Sequence, residues 1–313
     1  MVMGNLNLNK KNVDVEGRQS LGSGMATLNK KIAVHLHIYY EDKWGEIAAY
    51  LANLQSYDYD LFVTLIKPNE ELEKNIKKFK PEAQVFVIDN RGYDIGAFVW
   101  FLHQINLADY DYILKIHTKN TTRDTLTHIN CFYLKNSEWS KLLWDGVLKD
   151  EGRVKQVMEL LADEATGMVG SWYLVTKTLK ENAKVKEGCL KVMKQLGLTK
   201  SGQPYFVPGT MFWVKSALMT PIKANVTQQD FEVSGASGSD GSFAHIMERI
   251  LGYVVAENYN IKGVGFEVWT AFVLSIRPFL RFCFQKKITH NGKLIIKVFK
   301  LPIFSKLIRS KGK

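Results

Sequence analysis

Two clusters of polar residues directly follow short apolar runs in the first half of the chain. The first cluster, NRGYDIG at positions 90–96, follows the run 84–88, and the second, His117-Thr118-Lys119, follows the run 112–116. Both runs predict buried strands, and helical apolar spacing from Ile95 predicts a helix between them. Open α/β sheets bind ligands outside the carboxyl ends of their strands. We therefore expect a site there, with basic groups and a hydroxyl suited to an anionic ligand.

The NRGYDIG cluster allows a binding role and a purely structural one. Arg91 could pair bidentately with a phosphate or with Asp94, and Asp94 could accept a hydrogen bond from a sugar hydroxyl. Gly92 and Gly96 would allow close approach of the backbone. Alternatively, Asp94 only caps a helix that begins at Ile95. The pattern is not GxGxxG, which disfavours a nicotinamide cofactor.

The remaining elements alternate in a way that defines the fold class. Strands predicted at 31–40, 59–66, 84–88 and 112–116 are separated by helices at 44–54, 68–79 and from 95 onward, which indicates an α/β fold with parallel pairing. The second half of the chain predicts a polar loop at 121–130, helices at 139–148 and 154–161, and a strand at 167–172. A helix from 185, a strand pair at 205–215 and a loop at 228–239 are predicted next. The last predicted elements are a helix opened by Asp240-Gly241 and ended by Gly252, and a strand at 253–255.

The positive charge is concentrated at the end of the chain. The net charge is +11, and residues 271–313 hold eleven Lys/Arg and no Asp/Glu, so the rest of the chain is neutral. A neutral body argues against a nucleic-acid-binding protein. From Lys293 onward, basic and apolar residues alternate at near-helical spacing, which favours contact with an anionic membrane. A solvated tail, or a helix docked on the body, is the alternative.

Composition also bounds the domains and the compartment. We expect a flexible lead-in at 1–30, one folded domain at 31–265 and a basic amphipathic tail at 266–313. The three widely spaced cysteines form no CxxC pair and predict neither a disulfide framework nor a zinc site. The expected location is cytoplasmic, peripheral on the inner face of the cell membrane.

Three motifs together carry a resemblance to a known family. NRGYDIG at 90–96, YDYILKIHTK at 110–119 and PGTMFW at 208–213 resemble the rhamnan synthesis protein F family, which is similar to GT-A glycosyltransferases of bacterial cell-wall and O-antigen polysaccharides. The resemblance implies a GT-A-like (Rossmann-like) mixed sheet flanked by helices. It also implies transfer of a sugar, typically L-rhamnose, from a nucleotide-diphosphate donor to a lipid-linked glycan, with inversion. The rival class is a non-catalytic nucleotide-sugar or glycan-binding module.

The resemblance also raises the question of a metal. GT-A folds ordinarily hold a divalent cation with Asp-x-Asp, whereas this chain has His117-Thr118-Lys119 at the comparable place. Imidazole and ammonium groups suit Mg²⁺ or Mn²⁺ poorly, but they could neutralise a diphosphate directly. We therefore expect no metal and no other cofactor, with a divalent cation as the alternative. The expected donor-binding residues are Asn90, Arg91, Gly92, Asp94, His117, Thr118 and Lys119.

The catalytic base and the acceptor side complete the expected site. Ser239-Asp240-Gly241 resembles the start of the helix that supplies the base in inverting GT-A enzymes, so Asp240 is the expected base; helix capping alone is the alternative. His245 is a weaker candidate and is placed on the acceptor side. Gly209 and Thr210 are expected there as well, with Trp213 either stacking on a sugar or lying in the core.

Overall fold

The computed structural model describes residues 30–119, 126–130, 132–177, 183–199, 204–234, 242–288, 293–299 and 301–307. The strands are β1 (Ile32–Ile38), β2 (Tyr59–Leu65), β3 (Gln84–Val87), β4 (Tyr112–His117), β5 (Leu126–Ile129), β6 (Phe132–Lys135), β7 (Thr166–Ser171), β8 (Thr176–Lys177), β9 (Tyr205–Phe206), β10 (Phe212–Lys215), β11 (Asn260–Val264), β12 (Phe284–Ile288), β13 (Lys293–Val298) and β14 (Leu301–Leu307). The α-helices are α1 (Trp44–Leu51), α2 (Glu70–Phe79), α3 (Tyr93–Gln104), α4 (Asn136–Leu148), α5 (Glu151–Ala162), α6 (Ala183–Gln195), α7 (Thr220–Asn225), α8 (Phe243–Ala256) and α9 (Val268–Cys283).

A seven-stranded mixed sheet organises these elements, in the order β11-β7-β10-β4-β1-β2-β3. Strands β4, β1, β2 and β3 are mutually parallel, and β10 runs antiparallel to both β4 and β7. Strand β11 is parallel to β7, so β7 and β11 point the same way as β4. The predicted mixed α/β sheet flanked by helices is confirmed, and six of its strands end at the same edge.

The sheet separates two apolar cores, one on each face. The first core packs α1, α2, α4 and α5 against the sheet through residues such as Ile47, Leu72 and Val157. The second packs α3, α6 and α8 through residues such as Phe98 and Met247. Strand β3 differs from the prediction of a buried strand, because Gln84 and Val87 are exposed at the edge of the sheet. An apolar run specifies a strand, but its place in the sheet depends on which neighbours pair with it.

The bounds of helix α8 show that two predictions for the second half of the chain are wrong. It continues through Gly252 to Ala256, so the strand predicted at 253–255 is wrong, and the strand that follows is β11. A Cβ atom at Gly252 would lie 2.4 Å from the carbonyl oxygen of Tyr205, so glycine is required here for close packing against β9 rather than to end the helix. The N-cap position of α8 is occupied by Ser242, whose side chain makes no capping hydrogen bond, so the prediction of Asp240 at that position is wrong.

The C-terminal segment forms strands where a helical spacing was predicted. Strands β12, β13 and β14 make an antiparallel three-stranded sheet, so the helical interpretation from Lys293 onward is wrong. The run LIIKV is rich in β-branched residues, and its apolar positions satisfy a strand as well as a helix. The segment predicted as a loop at 121–130 contains β5 at its end. The predicted lead-in, up to residue 29, lies outside the described residues.

Helix α9 is attached to the body through one of its faces. The Arg277 guanidinium donates from Nη2 to Glu138 Oε1 at 2.7 Å and from Nη1 to the carbonyl oxygen of Tyr133 at 2.9 Å, while Leu274 is buried. Within the described part of the chain, none of the helices combines the length and the hydrophobicity that crossing a bilayer requires.

Candidate active site

An open cavity of about 1300 Å³ lies at the edge where β1 and β4 end. Both polar clusters of the sequence reach it, together with the turn before β10 and the first half of α8. The sequence-predicted residues that line it are Asn90, Asp94, His117, Thr118, Lys119, Gly209, Thr210 and His245. The cavity is somewhat larger than a typical single-ligand pocket, which leaves room for two substrates.

A buried ion pair joins the two clusters beneath the cavity. Asp94 lies in the first turn of α3, and its Oδ2 accepts from Lys115 Nζ at 2.6 Å and from the Thr210 hydroxyl. The Lys115 ammonium is fully buried and also donates to the carbonyl oxygen of Thr210 at 3.0 Å. Gly92, with φ of 65°, precedes α3 as its N-cap residue, so the interpretation of Asp94 as the helix cap is wrong. The pair fixes α3, β4 and the turn before β10 to one another.

The pKa of Asp94 follows from these contacts. Burial alone would raise the pKa of its carboxyl group. The neighbouring His117 ring and Lys115 ammonium, with hydrogen bonds from Lys115 and Thr210, outweigh burial and hold that pKa below its ordinary value. Asp94 is therefore ionised at neutral pH, and its negative charge is already matched by Lys115.

Three histidines surround this pair on β1 and β4. The parallel register places His35 beside Lys115 and His37 beside His117. His35 Nε2 and His37 Nδ1 both hydrogen-bond the Thr64 hydroxyl, at 3.1 and 3.0 Å. Burial lowers the pKa of His37 to about 4 and that of His117 to about 3. The His117 ring is therefore neutral at pH 7, and its Nδ1 lies 3.5 Å from Asp94 Oδ2.

These buried histidines predict a pH dependence of stability. Their folded-state pKa values lie below the ordinary value near 6.5, so below that pH the unfolded chain binds protons that the folded chain does not. The free energy of unfolding should therefore fall between pH 7 and pH 5, by about 2 kcal/mol for each of His37 and His117. Asp94 does not contribute in this window, because its stabilisation is lost only below its unfolded pKa, near 4.

Denaturant unfolding at pH 7 and pH 5 measures the effect. In His37→Gln one titrating ring is missing, so the loss of stability between the two pH values should be about 2 kcal/mol smaller than in the wild-type protein. Equal losses in the two proteins would contradict the assignment of a neutral buried ring to His37.

Thr118 and Lys119 have different surroundings at the end of β4. The Thr118 hydroxyl is buried and accepts from the backbone N–H groups of Tyr39 and Tyr40, at 2.8 and 3.0 Å, so it fixes the end of β1. The Lys119 ammonium lies 3.8 Å from the ring centroid of Trp139. Among the described residues, no carboxylate pairs with it at ion-pair distance. Lys119 is therefore a positive group at the cavity wall that is available to an anionic ligand.

The turn at Arg91 is attached to a distant segment rather than to the cavity. Arg91 Nη1 donates to the carbonyl oxygen of Phe231 at 3.0 Å, and the Gly92 N–H donates to that of Glu232 at 3.0 Å. Neither Arg91 nor Gly92 lines the cavity, in contrast to Asn90, whose carbonyl oxygen accepts from the Ser234 N–H at 2.8 Å. The group that approaches the backbone closely at this turn is the 231–234 segment.

Gly96 gives a direct test of this packing. A Cβ atom there would lie 2.0 Å from the backbone carbonyl oxygen of Arg91. Because a backbone atom cannot move aside cheaply, Gly96→Ala should lower the free energy of unfolding by about 1–3 kcal/mol. Gly152→Ala is the matched control, since its nearest neighbour is a side-chain oxygen of Asp150 at 3.2 Å. An equal effect of both substitutions in denaturant unfolding would contradict the argument.

Three of the four residues expected on the acceptor side line the cavity. Gly209 and Thr210 line the cavity with positive φ angles of 82° and 48°, and the Gly209 N–H donates to Glu248 Oε1 at 2.9 Å. His245 also faces the cavity, and its Nδ1 hydrogen-bonds the Ser242 hydroxyl at 2.8 Å. Of the two alternatives for Trp213, the core position is confirmed and the acceptor side is wrong, because its side chain is fully buried and its indole N–H donates to the carbonyl oxygen of Val147 at 3.0 Å.

Sequence reasoning missed four residues that the structure places at the site. Trp139 lies under Lys119, and Glu248 fixes the Gly209 turn. Lys115 and His37 interrupt otherwise apolar central strands. That interruption is a usable signal, because a buried charge or ring nitrogen needs a partner.

The position of the expected catalytic base is not described by the structure. Asp240 falls outside the described residues, which resume at Ser242. Across the described part of the chain, no group of three or more His, Cys, Asp or Glu side chains is arranged to hold a metal ion. Both the role of Asp240 and the absence of a metal requirement stay predictions.

The fold and the cavity define a class: an α/β domain with a mixed sheet and an open cavity at the carboxyl ends of its parallel strands. The sequence belongs to the rhamnan synthesis protein F family, whose model matches residues 13–259. The resemblance carried by the three motifs is thereby confirmed. No curated protein gives a significant match.

Several solved structures are distantly similar. A mycobacterial protein matches with 12% identity and a TM-score of 0.40, covering 93% of this chain and 91% of that one. Glucosyl-3-phosphoglycerate synthase from Mycobacterium tuberculosis, in complex with Mn²⁺ and UDP-glucose, matches with 12% identity and a TM-score of 0.37, covering 93% and 95%. S. aureus TarS 1–349 matches with 10% identity and a TM-score of 0.40, covering 76% and 58%. A likeness this distant says nothing about the reaction.

Proposed function

We propose that the protein is an inverting, GT-A-like glycosyltransferase. It moves a sugar, expected to be L-rhamnose, from a nucleotide-diphosphate donor to a growing cell-surface polysaccharide. Membership of the rhamnan synthesis protein F family supports polysaccharide synthesis. The observation that carries the proposal is the Lys119 ammonium at the cavity wall, beside Thr118 and the neutral His117, with no carboxylate partner among the described residues.

The proposed reaction is a single displacement at the anomeric carbon of the donor. The acceptor hydroxyl oxygen forms the new bond, the bond from the anomeric carbon to the diphosphate oxygen breaks, and the acceptor proton passes to Asp240. Lys119 stabilises the negative charge that develops on the leaving diphosphate. Asp94 has a positioning role, since its charge is matched by Lys115 and its hydrogen bond holds Thr210 at the cavity.

The direct role of Lys119 makes a metal unnecessary in this proposal. Asp94 and Glu248 are the carboxylates that line the cavity among the described residues, and both are engaged, by Lys115 and by the Gly209 N–H. They offer no free carboxylate pair of the kind that Mg²⁺ or Mn²⁺ prefers. Loss of activity in a chelator, with recovery on adding Mn²⁺, would contradict this part of the proposal while leaving the transferase assignment intact.

A panel of nucleotide-diphosphate sugars tests the function itself. The true donor should raise the melting temperature by mass action and should be hydrolysed slowly without acceptor. Binding of a donor without any turnover would instead favour the non-catalytic binding module. No binding of any donor would reject both assignments.

The proposed base has its own test. Asp240→Asn should keep the fold and donor binding but lower transfer by about a hundredfold, because the acceptor proton loses its receiver. Glu232→Gln is the matched control, since the Glu232 carboxylate accepts from the Phe243 N–H at 3.2 Å at the start of α8. Asp240→Asn with wild-type transfer would move the base elsewhere, with His245 as the next candidate at the cavity.

We further propose that the enzyme works in the cytoplasm at the inner face of the cell membrane, where a lipid-linked acceptor is found. The basic C-terminal region, 271–313, supports this location through its charge, because anionic lipids attract it.

A further inference from the structure

Helix α9 exposes a continuous apolar face that nothing in the described structure covers. Its members, spaced as on one side of a helix, are Val268, Trp269, Phe272, Phe279 and Leu280, here called the α9 face. Trp269 is 74% exposed and Val268 73% exposed, and every member is more than half exposed. Single exposed apolar residues are ordinary, but an aligned set of five marks an interaction surface.

The α9 face is attached to the body and continues onto two aromatic side chains at one end. The opposite side of α9 is fixed to the body by the Arg277–Glu138 pair and by buried Leu274. At the start of the helix, the exposed rings of Trp172 and Phe266 lie 4.5 Å apart between centroids. The surface is therefore a preformed aromatic patch rather than a loose tail.

The patch lies at the same edge of the sheet as the cavity. Trp172 follows the end of β7 and Phe266 follows the end of β11, and both strands point the same way as β4. Tyr173 connects the two places: its carbonyl oxygen accepts from Asn130 Nδ2, in the cavity wall, at 3.0 Å, and its hydroxyl donates to the carbonyl oxygen of Glu267 at 3.0 Å. Whatever binds the α9 face is thus held beside the cavity mouth.

The charge of the C-terminal segment that begins with α9 indicates what binds the α9 face. From Val268 to the last residue there are eleven Lys/Arg and no Asp/Glu. Two copies of the chain meeting at this face would bring like charges together, whereas an anionic lipid surface would be attracted. Tryptophan and phenylalanine side chains beside basic residues suit the boundary between lipid headgroups and acyl chains.

We infer that the α9 face, with Trp172 and Phe266, is the surface that enters the headgroup region of an anionic bilayer. This docking turns the carboxyl edge of the sheet, and so the cavity mouth, towards the membrane. The surface therefore differs from the helical segment from Lys293 onward that the sequence indicated. The orientation of the cavity towards a lipid-linked acceptor rests on the proposed function, but the binding of the surface to lipid does not.

Vesicle binding of the full chain tests the inference. The wild-type protein should bind vesicles of equal parts phosphatidylcholine and phosphatidylglycerol, and less well pure phosphatidylcholine vesicles or any vesicle at high salt. The double variant Trp269→Ala/Phe272→Ala should bind the anionic vesicles about tenfold more weakly, with an unchanged melting temperature. The matched control Val87→Ala/Leu190→Ala replaces two apolar residues that are also more than half exposed but lie elsewhere, and it should bind as the wild type does.

Fluorescence quenching locates the contact. Lipids brominated in the acyl chains should quench wild-type tryptophan emission, and Trp269→Phe should keep vesicle binding while losing a large part of that quenching. Unchanged quenching in Trp269→Phe would overturn the inference. The inference would also be overturned if the wild-type protein were a dimer and the double variant were a monomer that binds vesicles equally well. The α9 face would then join two copies of the chain. Donor hydrolysis without acceptor, measured on the same proteins, tests the proposed function separately.

Discussion

Replacing Asp94 by Asn is expected to lower the free energy of unfolding by about 3–5 kcal/mol. The Lys115 ammonium is fully buried, and Asp94 Oδ2 lies 2.6 Å from its Nζ. Burial already lowers the pKa of Lys115, and the carboxylate of Asp94 is the main group that opposes the shift. Asparagine fills the same volume, so the loss would report the unpaired charge rather than a cavity.

A double-mutant cycle measures the interaction between Asp94 and Lys115 apart from their contacts with other residues. Lys115→Met should also destabilise the protein, since it leaves the Asp94 carboxylate without its ammonium. The double variant should be less destabilised than the sum of the single variants, by about 2 kcal/mol, because neither charge is then left unpaired. Additive single effects in denaturant unfolding would show that the pair does not act as a unit.

An exposed pair with the same geometry is the control. Glu73 and Lys77 also approach within 2.6 Å, but on the solvent-facing side of α2. Glu73→Gln should therefore cost no more than about 0.5 kcal/mol. A comparable loss in Glu73→Gln and Asp94→Asn would contradict the importance of burial.

The second large effect is expected at Lys119. Lys119→Met should lower kcat/KM for sugar transfer by about a hundredfold to a thousandfold, because a preorganised positive charge at the leaving group is lost. The Lys119 ammonium already lies over the Trp139 ring, at 3.8 Å from its centroid, so it is held in place before the donor arrives. Burial lowers its pKa, and a bound diphosphate would oppose that shift. Methionine preserves the packing on Trp139 and removes the charge.

Two further variants make the result specific. Lys177 also lies at the cavity and over an aromatic ring, that of Tyr205 at 4.8 Å, but its side chain is exposed. Lys177→Met should lower kcat/KM by less than about fivefold, since an exposed charge contributes about 1 kcal/mol at most. Lys119→Arg should recover part of the lost activity. Wild-type transfer in Lys119→Met would reject the role of this residue in the departure of the diphosphate.

The first half of the fold could be predicted because its signals are local. Strands β1, β2 and β4 are predominantly apolar runs, and α1, α2 and α3 have apolar residues at helical spacing. Alternation of such elements permits few topologies, because connections between parallel strands are right-handed and short. The same local signals failed from Lys293 onward, because the apolar spacing there fits both the period of a helix and the period of a strand.

Two tryptophans show that residue type alone does not tell which side chain reaches the cavity. Trp213 and Trp139 are chemically identical, yet Trp213 is fully buried in β10 while Trp139 lies in the wall of the cavity under Lys119. Which of them could reach a ligand depends on the direction of each side chain from its element. That direction is set by packing against residues far away in the sequence.

The order of residues was sufficient to locate polar groups at the ends of β3 and β4, because the periodicity that marks a strand or a helix can be recognised within a few consecutive residues. Which of those groups meet was decided by the folded molecule. Asp94 pairs with Lys115 from 21 positions away, and Lys115 meets Thr210 from 95 positions away. Arg91 turned instead to Phe231, 140 positions away. Such partners depend on sheet register and on the closure of long loops, which no local pattern specifies.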